Sequence, residues 1–382
     1  MATLDLSLYI HIPFCTKKCD YCDFYSVPVN DAENNSPSQD LGHYIDSVLW
    51  ETERRFRETA AEYNASIYVP SLYIGGGTPS ILGKEGITQL LEGLYTITGR
   101  PQEITVEANP TSAVIPFLKA CADHGVTRLS LGVQSFNDEV LKAAGRKSRP
   151  VHDLSEIAAI FGNGLSLDLM SGLPGQDEAI LLNDIEKALS YDPGHISLYA
   201  LTIEDGTPLA LRSKNTSFCP GHQDELWLLG RDALKNAGFE HYEVSNFAKT
   251  PSNRSMHNIR YWLMKNWIGI GPAASGTLIN AGGAGRRTSY AADVKKFISD
   301  AAVIIEELDR ATVLKETLLM GFRYCEGPDP ALFAGRFGKT IEETIPQTLN
   351  KWQQINNNQS MQDTIMNFLN AFLLDAFFEL DN

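Results

Sequence analysis

Three cysteines near the start of the chain have the side-chain type and the spacing of a metal-cluster site. Cys15, Cys19 and Cys22 follow a C-x3-C-x2-C pattern, and position 24, where a fourth nearby ligand could stand, is Phe24. Structural zinc sites and electron-transfer clusters normally have four protein ligands. Three thiolates therefore predict a [4Fe–4S] cluster with one iron left open to a small molecule. A partial zinc site and three unliganded thiols are the alternatives.

The rest of the composition limits the class of protein. The other cysteines, Cys121, Cys219 and Cys325, are isolated, so we expect no disulfide framework and a reducing, cytoplasmic location. The first residues lack the layout of a signal peptide, and no run of about 18 apolar residues predicts a membrane span. A net charge of −15, without long runs of Lys or Arg, argues against nucleic acid as a partner.

Strand-like and helix-like segments alternate before residue 205. Strands are predicted at 7–12, 71–74, 103–107, 128–133, 166–170 and 195–201, and helices between them at 42–61, 86–94, 112–124 and 178–190. This alternation predicts a parallel sheet. Six βα units predict an α/β fold over residues 1–205, a partial (β/α)6 barrel resembling three quarters of a TIM barrel. Residues 206–382 change pattern and predict a small α+β C-terminal domain. It has a helix at 223–237, a strand at 242–247 and helices from 311 onward.

Unusual residues follow the carboxyl ends of the predicted strands. The cysteine loop follows the first strand and a GGGTP segment at 75–79 follows the second. Glu107, Gln134, Asp168 and a segment around Ala200 close the remaining four. Active sites of parallel barrels lie at these strand ends, so we expect all six features to converge on one mouth.

The residue types at this mouth suit a small ligand. Consecutive glycines let backbone N–H groups approach a ligand closely, although a plain tight turn is the alternative. Glu107 and Asp168 could hold ammonium or hydroxyl groups, or could be solvated strand ends. The planar guanidinium of Arg146 suits a carboxylate. Tyr9 is either a neighbour of the cluster or a core aromatic. The chain lacks phosphate-loop and dinucleotide fingerprints.

Seven motifs together resemble one protein family over residues 5 to 330. They are YIHIPFC at 9–15, CDF at 22–24, GGGTP at 75–79, GVQS at 132–135, SLYALT at 197–202, YEVSNFA at 242–248 and HNIRYW at 257–262. This set is similar to the coproporphyrinogen III oxidase-like (HemN/HemW) family of radical S-adenosylmethionine (SAM) proteins. Oxidases of this family typically have a fourth cysteine where this chain has Phe24. The resemblance is therefore nearest to the haem-chaperone subgroup.

The resemblance implies a radical SAM barrel and a set of ligand-binding residues. Cys15, Cys19 and Cys22 would ligate the [4Fe–4S] cluster, and His257 would be a haem contact. The residues expected to contact SAM are Tyr9, Tyr21, Gly76, Gly77, Thr78, Glu107, Gln134, Arg146, Asp168 and Ala200. Two family histidines are replaced here, by Ser148 and Ser275.

The function that the resemblance implies is a haem chaperone. Such a protein binds haem and delivers it to haem-accepting apoproteins, including membrane respiratory proteins. The alternatives are an oxygen-independent coproporphyrinogen III oxidase and a radical SAM enzyme with another substrate. The apolar run at 365–380 predicts a helix packed on the core. A homodimer contact and a peripheral membrane contact are other interpretations of it.

Overall fold

The centre of the protein is a twelve-stranded sheet. The computed structural model describes residues 2–29, 37–146, 153–213, 220–355 and 361–381. The strands of the sheet are β1 Ser7–Ile12, β2 Ser71–Gly76, β3 Glu103–Ala108, β4 Arg128–Gln134, β5 Leu165–Ser171, β6 His195–Ala200, β7 Glu240–Glu243, β8 Asn246–Ala248, β9 Trp267–Ile270, β10 Ser275–Ile279, β11 Gly285–Tyr290 and β12 Val303–Leu308. Their order is β7-β8-β6-β5-β4-β3-β2-β1-β9-β10-β11-β12.

Helices cover the sheet and form the C-terminal part of the chain. They are α1 Pro37–Tyr63, α2 Gly83–Thr98, α3 Ile115–Asp123, α4 Asp138–Ala143, α5 Ser155–Phe161, α6 Glu178–Leu189, α7 Pro208–Ser213, α8 Pro220–Asn236, α9 Met256–Trp262, α10 Val294–Ser299, α11 Arg310–Gly321, α12 Pro330–Phe337, α13 Ile341–Thr344, α14 Pro346–Gln354, α15 Met361–Asn367 and α16 Leu369–Asp381. Short 3-10 turns and two-stranded pairings complete the structure. These are Pro79–Leu82, Gly162–Gly164 and Pro251–Asn253, and the strand pairs Ala2–Asp5 with Ala65–Tyr68 and Phe14–Cys15 with Val27–Pro28. No helix among the described residues has both the length and the apolar character needed to cross a bilayer.

Strands β1 to β6 are parallel neighbours and confirm the predicted (β/α)6 architecture. In the described residues β1 and β6 lie five strands apart and do not pair with each other, so the ring is open. Each of the six strands predicted before residue 205 overlaps its observed counterpart almost completely. The predicted strand at 242–247 was wrong, because this segment contributes to two antiparallel strands, β7 and β8. The chain reverses between them at Ser245, whose φ of 83° is a left-handed turn conformation.

The two faces of the barrel strands differ in chemistry. On one face the side chains are apolar and fully buried under the helices, as at Leu8, Ile10, Leu72, Ile74, Ile104, Val106, Leu129, Leu131, Leu167, Leu169, Ile196 and Leu198. On the other face the alternate positions are polar. They include Tyr9, Tyr73, Glu107, Ser130, Asp168 and Ser197. Because side chains alternate along a strand, the polar set lines the inside of the open barrel.

The C-terminal part of the chain continues the same sheet. Strand β9 pairs in parallel with β1, and β10 to β12 extend the sheet in antiparallel fashion. Helices α11 to α16 enclose a second apolar cluster that contains Phe333, Phe372 and Trp352. The division of the chain at 205 and 206 therefore stays a prediction, since the sheet runs through both parts.

Helices α15 and α16 form from the apolar run near the C-terminus. Phe372, Leu373 and Ala376 are buried in the second cluster, as expected for a helix packed on a core. Leu374 and Phe368 remain 71% and 59% exposed. Homodimer and membrane contacts of this surface stay predictions.

Candidate functional site

The three clustered cysteines lie on the loop that follows β1. All three thiols are free and partly exposed. The loop closes on itself through the N–H of Cys22, which donates to the carbonyl of Cys19 at 3.2 Å. Burial is the main cause that raises the pKa of the Cys22 thiol to about 11, and charge on Cys19 and Cys15 acts in the same direction. Across the described ranges, no three His, Cys, Asp or Glu side chains converge tightly enough to hold one metal ion.

Two polar side chains from other loops reach the cysteine sulfurs. Thr78 Oγ1 lies 3.4 Å from Cys15 Sγ. Arg146 Nη1 lies 4.0 Å from Cys19 Sγ and donates to the Tyr21 hydroxyl at 3.2 Å. Hydrogen bonds to the sulfurs are one of the protein's means of tuning a cluster. Three thiols on one loop with these neighbours form a donor set that fits a [4Fe–4S] cluster with an open iron.

The GGGTP segment at residues 75–79, here called the glycine loop, begins in the last residues of β2 and packs directly against the start of the cysteine loop. Gly76 has a φ of 110°, and a Cβ atom there would lie 2.5 Å from ring atoms of His11. A Cβ atom on Gly77 would lie 2.7 Å from the carbonyl oxygen of Phe14. The N–H of Gly77 donates to the carbonyl oxygen of Ile12 at 2.8 Å. Only glycine fits this close approach of two backbones.

Glu107 at the end of β3 holds the glycine loop. Its Oε1 accepts from the Tyr73 hydroxyl at 2.7 Å, and its Oε2 accepts from the N–H of Gly76 at 3.0 Å. Burial raises the pKa of the Glu107 carboxyl to about 7, although these two hydrogen bonds and the nearby charge of Asp168 act on it as well. The group therefore changes charge near neutral pH.

Asp168 on β5 is the second acidic side chain inside the barrel. It accepts hydrogen bonds from Ser130 Oγ at 2.9 Å and from Ser197 Oγ at 2.7 Å, which come from the two strands beside it. Burial raises the pKa of this carboxyl as well, against the effect of the two hydroxyl donors. The two serines fix the orientation of the carboxylate toward the centre of the barrel.

Gln134 and Arg146 lie together near the end of β4. Gln134 has a φ of 70° at a register shift between β4 and β5, and such bulges redirect a side chain. Its amide group folds back over Gly132, where a Cβ atom would lie 3.1 Å from Gln134 Nε2. Arg146, which is 8% exposed, donates to the carbonyl of Gly132. Its guanidinium therefore joins the end of β4 to the cysteine loop.

Tyr9 is linked to the cysteine loop through His11, a residue that the sequence analysis did not select. The Tyr9 hydroxyl lies 3.0 Å from His11 Nδ1, and His11 Nε2 lies 3.0 Å from the carbonyl oxygen of Tyr25. Burial lowers the pKa of His11 and so favours the neutral ring. A neutral imidazole can accept from Tyr9 and donate to Tyr25 at the same time. His11 and Tyr73 lie on the polar face of alternating strands, at the same parity as Tyr9 and Ser71, and this alternation is the signal that could have identified them.

The structure places most of the predicted SAM contacts at one end of the barrel. The glycine loop, Thr78, Glu107, Gln134 and Arg146 lie at or just beyond the carboxyl ends of β2 to β4, beside Tyr21 in the cysteine loop. Ala200 is exposed at the end of β6, while Tyr9 and Asp168 lie one layer deeper in the barrel. Their contacts with SAM stay predictions.

His257 lies at the opposite end of the barrel from the cysteines. It is on α9, is 9% exposed, and its Nδ1 lies 3.1 Å from Ser71 Oγ at the start of β2. Its ring centroid is 5.1 Å from that of Tyr73. Burial lowers the pKa of the imidazole to about 3, so the ring is neutral. Ser275 is exposed at the start of β10, and Ser148 lies outside the described residues.

Glu243 joins two of the sequence motifs under the barrel. Its Oε1 accepts from the amides of Asn246 and Asn258, while its buried Oε2 has no partner at normal hydrogen-bond distance in the described ranges. Burial raises the pKa of this carboxyl to about 8. The YEVSNFA and HNIRYW segments are thus fixed to each other around one buried acid.

Replacing Glu243 by Gln is expected to stabilise the protein at high pH. The folded state holds a proton on Glu243 up to a pH near 8, whereas the unfolded chain releases it near pH 4. The acid therefore reduces stability increasingly as pH rises between these values and fully above pH 8. Glutamine keeps the accepting oxygen and has no charge. Thermal unfolding at pH 5 and pH 9 tests this, with the exposed Glu53→Gln as control. Equal midpoints of wild type and Glu243→Gln at pH 9 would contradict it.

Comparison with known proteins agrees with this architecture. A family model described as the Radical SAM superfamily matches residues 9–188. A protein of Lactococcus lactis named heme chaperone HemW is 33% identical over 97% of this chain and 97% of its own length. The protein of that name from Bacillus subtilis is 32% identical over 90% of each chain.

One solved structure combines coverage of nearly the whole chain with high structural similarity. The structure titled "Coproporphyrinogen III oxidase (HemN) from Escherichia coli is a Radical SAM enzyme" matches 99% of this chain and 90% of that one, with a TM-score of 0.77 and 19% identity. At this identity the match concerns the fold alone. The fold and the superfamily match define a radical SAM protein, a class whose cofactors are a [4Fe–4S] cluster and SAM. Identity to relatives along their full length shows further that the chain belongs to the HemW family.

Proposed function

We propose that this protein is a haem chaperone, which binds haem in the cytoplasm and delivers it to haem-accepting apoproteins. The observation that carries the proposal is the 33% identity, over nearly the full length of both chains, to a relative named heme chaperone HemW. Phe24 supports it as well, because it is 64% exposed beside the cysteine loop where the oxidases resembled here typically have a further cysteine.

In this proposal the carboxyl end of the barrel holds the cluster and SAM. Cys15, Cys19 and Cys22 hold the cluster, which when bound supplies one-electron redox chemistry. The ordered carboxylate of Glu107 and the glycine loop receive the amino-acid end of SAM, and Arg146 receives its carboxylate. Asp168 receives hydroxyl groups of the nucleoside. Because the polar groups inside the barrel are already fixed by hydrogen bonds, little reorganisation is needed when the ligand binds.

An anaerobic haem titration of the cluster-reconstituted protein tests the proposal. We expect saturable binding near one haem per chain in the Soret band, weakened or spectrally shifted in His257→Ala. The exposed His43→Ala variant serves as control. Absence of saturable binding by the wild type would overturn the chaperone proposal. Conversion of coproporphyrinogen III by the same sample would support the oxidase alternative instead.

A further inference from the structure

A cavity lined by charged and apolar residues lies at the end of the barrel opposite the cysteine loop. It has a volume of about 440 Å³, within the range of ligand sites in proteins. Its wall includes Glu103 and Arg128, which begin β3 and β4, and Asn253, Arg254 and Met256 just before or at the start of α9. Helix α9 also carries His257, the predicted haem contact. We call this space the floor cavity.

Arg128 contributes a buried cation to the floor cavity. The residue is 7% exposed, and its Nη1 donates to the carbonyl of Asn253 at 2.9 Å. Its Nη2 is buried and has no hydrogen-bond acceptor among the described residues. A buried donor without an acceptor costs about 1–3 kcal/mol. The guanidinium is therefore fixed in position with one N–H group that lacks an acceptor.

Arg254 contributes a second fixed guanidinium. Its Nη1 lies 2.8 Å from Glu326 and its Nη2 lies 2.7 Å from Glu240. Its Nε is buried and has no acceptor in the part of the chain that the structure describes. Arg128 and Arg254 both line the floor cavity, and each has one enclosed N–H group that can donate a further hydrogen bond to an anionic oxygen atom. Arginine is the usual side chain for recognising carboxylates.

The other walls of the floor cavity suit an amphipathic anion. Glu103 is the one acid among the described residues of the wall. Its two oxygens accept the N–H groups of Met256 and His257, both at 2.7 Å, so they are already engaged with α9. Pro251, Met256 and Ile259 add an apolar side to the cavity. Such a combination can bind a carboxylate and also contact the edge of an apolar ring.

We propose that the floor cavity binds the carboxylate side chains of haem through Arg128 and Arg254. This inference rests on the proposed haem-binding function. It assigns a binding site to the carboxylates of haem, for which His257 on α9 offers no partner. The macrocycle then lies against the apolar side of the cavity, next to α9. The haem site and the predicted SAM site are at opposite ends of one barrel.

Haem and its dimethyl ester distinguish this proposal from other modes of binding. The ester keeps the iron and the macrocycle but has no carboxylate charge. Both are titrated into the cluster-reconstituted wild type, Arg128→Lys and Arg254→Lys. Arg286→Lys is the matched control, because Arg286 pairs with Glu62 at the far part of the sheet. Thermal unfolding midpoints check that each variant is folded. If the more buried Arg128→Lys does not fold, Arg254→Lys alone tests the proposal.

We expect each cavity variant to bind haem about tenfold more weakly, because lysine keeps the charge but not the planar N–H fork, so one charge-assisted hydrogen bond is lost. The ester should bind the wild type at least as weakly as haem binds the cavity variants, and its affinity should not fall further in those variants. Arg286→Lys should bind haem with the affinity of the wild type. Equal binding of haem and its ester, or unchanged haem binding by a folded cavity variant, would overturn the assignment while the chaperone proposal stands. If the wild type binds no haem at all, the chaperone proposal itself fails and this assignment fails with it.

Discussion

Replacing Gly76 by alanine is expected to lower the free energy of unfolding by about 2–5 kcal/mol, because backbone strain and a steric collision add at this position. The residue has a φ of 110°, which side chains disfavour, and its Cβ would lie 2.5 Å from the His11 ring. Moving that ring breaks the hydrogen bonds of His11 to Tyr9 and Tyr25. Chemical unfolding of the two proteins measures the difference.

Gly99→Ala is the matched control for this experiment. Gly99 also has a positive φ, of 67°, but no atom of the described residues lies within 4 Å of the Cβ position there. Its replacement should cost only the conformational strain of about 1–2 kcal/mol. If Gly76→Ala costs no more than Gly99→Ala, the close packing of the glycine loop on His11 has no energetic importance.

The second large effect is expected at Glu107. In the proposed site its carboxylate faces the ammonium group of SAM, and Glu107→Gln removes that charge while it keeps an oxygen for the N–H of Gly76. A charged hydrogen bond contributes about 1.5–3 kcal/mol, so SAM should bind roughly ten- to a hundredfold more weakly. Isothermal titration of the reconstituted protein measures this, with the exposed Glu53→Gln as control.

The pH dependence of SAM binding gives Glu107 a distinct signature. Its pKa is raised to about 7 by burial, so the carboxylate form grows as pH rises from 6 to 8. Affinity of the wild type should therefore increase over this interval and level off above it. The Glu107→Gln variant should lack this increase. The same increase in both proteins would exclude Glu107 as its origin.

The sequence predicted the barrel well because its strands are buried on one face by helices. In each strand, apolar residues occupy alternate positions of a short run bounded by loops, as Leu8 and Ile10 do in β1 and Leu72 and Ile74 in β2. Such runs specify both a strand and its register. The residues that end each strand could be placed at one mouth because the strands are parallel. Topology alone therefore predicted that these strand ends lie together, whereas the contacts of their side chains with SAM stay predictions.

Side chains that act through long-range contacts could not be predicted in the same way. The link from Tyr73 to Glu107 joins neighbouring strands, and that from His11 to Tyr25 depends on the path of the cysteine loop. The position of His257 at the barrel floor depends on how α9 packs, which its local sequence does not determine. The β7–β8 reversal at Ser245 was missed because the turn uses a left-handed serine rather than glycine.

The pairing of β9 with β1 has a consequence for how the protein folds. Trp267 of β9 pairs with Ser7 of β1, so two strands that are adjacent in the sheet are far apart in the chain. During synthesis, β1 keeps one unpaired edge until the chain has been made at least as far as Trp267. Contacts between distant segments slow folding, and unpaired strand edges associate with other chains. We therefore expect the nascent protein to depend on protection of its first strand, and expression of the isolated barrel to favour aggregation.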